Sequence, residues 1–249
     1  MSGVNAGASP ALSTIKNSKA GTKTFCVSVI GATGAVGREV IQLLEKRKFP
    51  ISQLRLFCSE RSAGEKFQFC GQTLAAQTID REALAGSDYA ILCADAATAR
   101  ALAPMLAEFN IIAVDNSSAF RTDPAIPLVV PEINGETLKG KPILVANPNC
   151  TTIISLMVAA PLHRVAHLER MTACSYQAVS GAGLAGMHEL ESQTRAWAAG
   201  EKVAGQLFPG RFYSMCFHTT LPVNLMDPMR RNTNSFVKVG EFWAMITCE

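Results

Sequence analysis

Along the first 150 residues, short apolar blocks alternate with longer stretches of mixed polarity. Thr24–Ile30 (TFCVSVI) is apolar and β-branched and predicts a buried strand. In the following REVIQLLEKRK, residues Val40, Ile41, Leu43 and Leu44 share one face at helical spacing. Leu54–Cys58 (LRLFC) predicts a second strand, Asp88–Ala94 (DYAILCA) a third, Ile111–Asp115 a fourth and Ile143–Ala146 a fifth. Ala96–Asn110 is Ala-rich and predicts a helix that Pro104 should kink or divide. Strands alternating with helices predict an α/β fold with a doubly wound parallel sheet.

The first strand runs directly into Gly31-Ala-Thr-Gly-Ala-Val-Gly37, and a helix follows. Glycines at this spacing let the backbone turn sharply and approach a pyrophosphate closely. The helix N-terminus then offers unpaired N–H groups and a partial positive charge. This strand–loop–helix–strand unit predicts a dinucleotide-binding Rossmann domain over residues 24–149. At the end of the second strand lies Cys58-Ser-Glu-Arg-Ser-Ala-Gly64. Ser59, Arg61 and Ser62 can grip a 2′-phosphate, whereas Glu60 would repel one unless it points away, so the stretch favours NADP over NAD.

Charge and composition narrow the classes. Net charge is +3, but residues 1–38 hold Lys16, Lys19, Lys23 and Arg38 and no acid, leaving about −1 for the rest. A near-neutral body predicts no nucleic-acid partner. No apolar run approaches the length of a membrane span, which predicts no membrane partner and a cytoplasmic protein. Residues 1–23, rich in Ser, Ala, Thr, Gly and Lys, read as a disordered leader. An organelle-targeting peptide (plastid or mitochondrion) stays open beside that reading. None of the eight cysteines forms a CxxC pair and no His completes a zinc spacing, so no metal site is expected. Cys26, Cys58 and Cys93 sit in strand-like runs as small hydrophobes.

Cys150 is different. It follows the strand ILVA and the turn Asn147-Pro-Asn, and the apolar Thr151-Thr-Ile-Ile-Ser-Leu-Met-Val then opens a helix. The dipole of that helix would favour a thiolate, the nucleophilic form of cysteine. A thiolate beside a nicotinamide suggests aldehyde oxidation through a thioester, or its reverse, reduction of an acyl phosphate. The ends of the fourth and fifth strands, Asn116-Ser-Ser-Ala-Phe-Arg121 and Asn147-Pro-Asn-Cys150, lie where ligands bind in such sheets.

These motifs, with Arg61-Ser-Ala-Gly64, Val114-Asp-Asn-Ser-Ser-Ala-Phe-Arg121, Pro127-Leu-Val-Val-Pro-Glu-Ile-Asn134 and Ser175-Tyr-Gln-Ala-Val-Ser-Gly-Ala-Gly183, resemble aspartate-semialdehyde dehydrogenase in the same order. The resemblance implies reductive dephosphorylation of β-aspartyl phosphate to aspartate semialdehyde, with NADP, on the way to lysine, threonine and methionine. It implies Cys150 as the acyl-accepting nucleophile and Gln177 orienting the substrate. Arg121 and Asn149 would lie at the substrate and phosphate site. Gly31, Thr33, Gly34, Ala35 and Val36 would contact the cofactor pyrophosphate, Ser59, Arg61 and Ser62 the 2′-phosphate, and Ser180 and Gly181 the nicotinamide. It also implies a homo-oligomer, dimer or tetramer, assembled through residues 150–249 as a partial, incomplete α+β catalytic and dimerisation domain.

The resemblance fades beyond about residue 210. The family's carboxylate-binding Arg, general acid/base His and phosphate-site Lys belong to that region, and none of their motifs occurs in this sequence. A C-terminally shortened or divergent member is therefore expected, weakly active or inactive by itself. His163, His167 and His188 are expected to pack or face solvent. Two alternatives stay open: a non-catalytic nucleotide-binding or dimerising remnant, and N-acetyl-γ-glutamyl-phosphate reductase, which shares the fold and the chemistry.

Overall fold

The computed structural model describes residues 23–175, 178–202, 205, 207 and 219–223. The expected leader 1–23 therefore lies, save its last residue, outside the described residues. The chain runs β1 (Phe25–Ile30), α1 (Ala35–Lys46), β2 (Ile51–Cys58), β3 (Lys66–Phe69), β4 (Gln72–Ala75), β5 (Gln77–Thr78) and α2 (Arg81–Leu84). It continues through β6 (Tyr89–Leu92), α3 (Ala96–Glu108), β7 (Ile112–Asp115), α4 (Pro131–Asn134) and β8 (Leu144–Ala146). Beyond these come α5 (Cys150–Ala166), β9 (Met171–Ser175), α6 (Gly183–Ala198) and β10 (Thr219–Val223).

Six strands form one parallel sheet in the order β5-β2-β1-β6-β7-β8. The order reverses at β1, whose partners β2 and β6 lie on opposite sides. In β1, alternate residues serve opposite faces, as the period of a strand requires. Val27 and Val29 pack with Ile41 of α1 and with Phe67, Phe69 and Leu74. Ile30 joins Leu84 of α2 and Ala99, Leu102 and Leu106 of α3 on the other face. The doubly wound α/β sheet expected from the periodicity is the fold observed.

Two local features bear on the sequence reading. Of the two outcomes expected at Pro104, division does not occur: the proline lies inside one continuous helix, α3. Pro104 and Arg100, whose carbonyl loses its donor, are both exposed. Water can satisfy that carbonyl, which removes one part of the cost of the proline; the contact of its ring with the preceding turn remains. The β3–β4 hairpin was not anticipated. It pairs antiparallel across Cys70 and Gly71, both at positive φ, and covers the α1 face.

A smaller cluster of Leu128, Val130, Ala146, Leu156 and Ala159 seats α5 against the segment 128–130. The buried Asn134 shapes that segment by accepting from the Val130 N–H and donating to the Leu128 carbonyl, both at 2.9 Å. Beyond α5, β9 pairs antiparallel with β10. No helix among the described residues is long and apolar enough to cross a membrane.

Candidate active site

The glycine loop leaves β1 at its carboxyl end. Gly31 has φ +83°, and a Cβ there would stand 2.7 Å from the Cys93 carbonyl oxygen. Gly37 is tighter: its Cβ would meet the Gly31 carbonyl oxygen at 2.2 Å. These two positions exclude side chains because the loop folds onto the end of β6 and α1 folds onto the loop. Gly34 caps α1 without a side-chain acceptor, and the first turn carries no acid. Thr33, Ala35 and Val36 line this turn. A cradle of close backbone at an uncapped helix start fits a pyrophosphate.

Arg38 braces the loop. Its Nε donates to the Thr33 carbonyl at 3.0 Å, and its guanidinium pairs with Glu65. Glu65 follows the stretch from Ser59 to Gly64, so this pair ties the loop to the end of β2. There, residues Glu60–Ser62 make a 3₁₀ turn closed by the Ser62 N–H donating to the Ser59 carbonyl at 3.0 Å. Ser59 and Arg61 are exposed and Ser62 is half-buried.

Cys150 is the first residue of α5 and is exposed. The Asn149 side chain caps the helix, accepting from the Thr151 N–H at 3.1 Å. The turn is hung on the end of β7. The Asn147 N–H donates to the Asp115 carbonyl at 2.8 Å, and the Asn147 side-chain amide donates to Asn116 Oδ1 at 2.7 Å. Arg121 closes the arrangement, donating from Nε to the Asn147 carbonyl and from Nη2 to the Asn116 carbonyl, both at 2.9 Å. Asp115 is fully buried and accepts from both the N–H and the hydroxyl of Ser117, which fixes the start of the loop to Arg121.

Cys93, at the end of β6, contrasts with Cys150. Burial pushes its thiol up from the ordinary 9.0 to about 12, opposed by the Asn116 amide contact and reinforced by Asp115. A thiol held neutral is inert.

The structure therefore brings Gly31–Val36, Ser59–Ser62, Arg121 and Asn149–Cys150 to the same ends of parallel strands, β1, β2, β7 and β8. Ser180 and Gly181 lie outside the sheet, exposed in the 3₁₀ turn Val179–Ala182 that enters α6. Helix α6 packs against α1. Gln177 lies outside the described residues. His163 and His167 stand at the far end of α5, His163 thirteen residues or roughly 20 Å along the helix from Cys150. Their rings stack with centroids 4.8 Å apart, and His163 Nδ1 accepts from the Leu168 N–H at 3.1 Å. They serve the helix end, not the cysteine. His188 is exposed on α6, and His218 lies outside the described residues.

Sequence reasoning did not single out Arg38, Asn116, Asn147 or Asp115. Three of them act through a partner distant in the chain, Asn116 and Asn147 31 residues apart and Arg38 and Glu65 27 apart, whereas the Asp115 side chain bonds Ser117 two residues on. Nothing in local spacing marks such pairs.

A glycine loop and a helix-borne cysteine at the same ends of the strands of a doubly wound sheet define a class of dinucleotide-binding folds with a thiol at the ligand-binding edge. Comparison with known proteins places the chain within that class. A family model described as "Semialdehyde dehydrogenase, NAD binding domain" matches residues 26–141, and one described as "Semialdehyde dehydrogenase, dimerisation domain" matches residues 159–222. The chain belongs to the semialdehyde dehydrogenase family. The second match extends past residue 210 to include most of β10.

Aspartate-semialdehyde dehydrogenase of Aquifex aeolicus is 41% identical over 189 residues, which are 74% of this chain and 56% of that protein. The crystal structure of aspartate semialdehyde dehydrogenase II from Vibrio cholerae matches with a TM-score of 0.75 and 32% identity, over 90% of this chain and 67% of that one. A structure of aspartate semialdehyde dehydrogenase with NADP from Candida albicans matches with a TM-score of 0.56 and 25% identity, over 66% of this chain and 53% of that one. The chain thus spans little more than half the length of its Aquifex relative.

Proposed function

We propose that this chain carries the site for NADP-dependent reductive dephosphorylation of β-aspartyl phosphate to L-aspartate 4-semialdehyde, in lysine, threonine and methionine biosynthesis. The observation that carries the reading is Cys150 itself. It is exposed at the start of α5, on a turn tied through Asn147 and Arg121 to the strand ends beside the glycine loop.

The chain's own groups support each step. The Cys150 sulfur attacks the acyl carbon of the acyl phosphate, a C–S bond forms and the C–O bond to phosphate breaks, giving a thioester. Arg121 holds the departing phosphate through its planar guanidinium. NADPH, when bound, would supply the hydride that reduces the thioester, and NADP⁺ would accept it in the reverse direction. Collapse of the resulting hemithioacetal, with a proton on the oxygen lost to solvent, frees the aldehyde and regenerates the thiolate.

The cofactor fits the residues present. Gly31 and Gly37 leave no room for a Cβ, and the start of α1 has no capping side chain. Gly31, Thr33, Gly34, Ala35 and Val36 would hold the pyrophosphate, and Ser59, Arg61 and Ser62 the 2′-phosphate. Ser180 and Gly181 would approach the nicotinamide, Gln177 would orient the substrate, and Asn149 would adjoin the phosphate. The same reading divides the chain into a leader (1–23), the NADP-binding domain (24–149) and a partial catalytic and dimerisation domain (150–249). The last of these would form a homo-oligomer, a dimer or tetramer.

The test works in the oxidative direction. Without phosphate, aspartate semialdehyde and NADP⁺ give NADPH in no more than stoichiometric amount with the chain and leave an acyl adduct on the Cys150 peptide, read by mass spectrometry. Cys150→Ser gives neither. Equal NADPH from Cys150→Ser, or no adduct on wild-type Cys150, refutes the reading.

A further inference from the structure

Arg121, Asn116 and Asn147 form a closed ring of hydrogen bonds. One guanidinium donates to the main-chain carbonyls of both asparagines, and the side chains of the same two asparagines bond each other. The amide pair therefore joins the two loops whose carbonyls hold the guanidinium, alongside the backbone bond from the Asn147 N–H to the Asp115 carbonyl. The chemistry of the pair is also directional. The Leu92 carbonyl can only accept, so Asn116 must turn its amide nitrogen toward it, at 3.1 Å, and present Oδ1 to Asn147. The same nitrogen lies 3.7 Å from Cys93 Sγ, on the residue whose carbonyl the glycine loop presses against. Asn116 thus has both ends of its amide committed, one to the end of β6 and one to the turn that carries Cys150.

We propose that Asn116 and Asn147 are positioning residues for anion binding at Cys150, acting as one unit that fixes the plane of the Arg121 guanidinium. The inference rests on the acyl-phosphate reading above. A guanidinium binds a phosphate well only when its planar fork is held in register with the oxygens. Here two carbonyls on two loops grip it, and the Asn116–Asn147 bond locks the loops together. Neither asparagine touches the anion.

The experiment uses the whole chain and inorganic phosphate as the probe. Iodoacetamide alkylation of Cys150, followed peptide by peptide, is measured over a phosphate series. Wild type is protected by phosphate. Asn116→Ala and Asn147→Ala each raise the half-protecting phosphate concentration about tenfold, the size of effect expected for one partly buried hydrogen bond. The double variant is no worse than the weaker single one, because two members of a unit are not additive.

Unchanged half-protection in both single variants overturns the proposal, as does a double variant whose loss is the product of the two. Protection that weakens only in step with a lowered Tm also overturns it, since the pair would then be merely structural. Asn147→Ala keeps its backbone bonds to Asp115 and Arg121, so it alone decides the matter if Asn116→Ala does not fold. If phosphate fails to protect the wild type, the acyl-phosphate reading falls together with this one. If wild type is protected and the variants match it, this inference alone falls.

Discussion

The two halves of the described chain are finished to different degrees. In the sheet, both faces are closed: α1 and the β3–β4 hairpin cover one, α2 and α3 the other, and Val29, Ile30, Phe57, Ala90 and Leu92 are fully buried. In α5, Thr152, Leu156, Ala159 and Ala160 are buried on one side. Ile154, Val158, Leu162 and Val165 stand exposed on the other, Val165 at 89%. A helix apolar all round belongs in an interior. The glycine loop therefore rests on a scaffold complete in itself, whereas the cysteine heads a helix that is half-seated among the described residues. Dinucleotide binding and thiol chemistry should respond differently to perturbation.

The widest contrast lies between two thiols. Cys93 belongs to the closed half, and its value near 12 keeps it neutral at ordinary pH. Iodoacetamide at pH 8 should alkylate Cys150 more than about a thousandfold faster than Cys93. Comparable rates would show that the end of β6 opens freely. The sign of the linked stability effect is fixed. Between pH 9.0 and about 12 the unfolded chain releases a proton from Cys93 that the folded chain keeps, so stability falls as pH rises through that window. Below pH 9.0 the contribution is fully present. Cys93→Ser should flatten the fall in the urea midpoint over that range.

Next in size is the contrast between a core leucine and an exposed valine. Leu92→Ala removes a fully buried side chain and should cost about 2–5 kcal/mol in urea unfolding. Val165→Ala should change stability by less than about 0.5 kcal/mol. A large, concentration-dependent loss at Val165 would instead show that this flank is covered by association with another chain.

Smaller still is Gly37→Ala, expected to cost about 1–3 kcal/mol through the clash with the Gly31 carbonyl. The same change should weaken NADP binding in calorimetry while leaving the alkylation of Cys150 at its wild-type rate. A parallel loss of both would mean that the two halves are not separable.

Much of the sheet was legible because its strands are short, β-branched and bounded by polar turns. Val27, Val29 and Ile30 announce β1, and the glycine spacing announces the loop. Cys150 was legible because a strand, a proline turn and an apolar helix meet there. The β3–β4 hairpin left a signal that could have been read, the alternation in Lys66–Phe69 and Gln72–Ala75 around Cys70-Gly71. Pro104 did not divide its helix, and the exposed carbonyl it orphans can turn to water. The ring of Asn116, Asn147 and Arg121 left no readable signal. An asparagine at a strand end is ordinary turn chemistry, and only the folded sheet shows which other loop it meets.

The edges of the sheet carry one more consequence. β5 contributes two residues, and β8 only three. On the outer side of β8, the Ala146 N–H donates to the Pro127 carbonyl and the Ala146 carbonyl accepts from the Val129 N–H, at 2.9 and 3.0 Å. An incoming strand from another molecule would find little unpaired backbone to add to, so neither margin is a good template for edge-to-edge aggregation. The liability to misassociate shifts from the sheet to the greasy flank of α5, and mutations that make that flank polar are the rational way to keep this chain in solution.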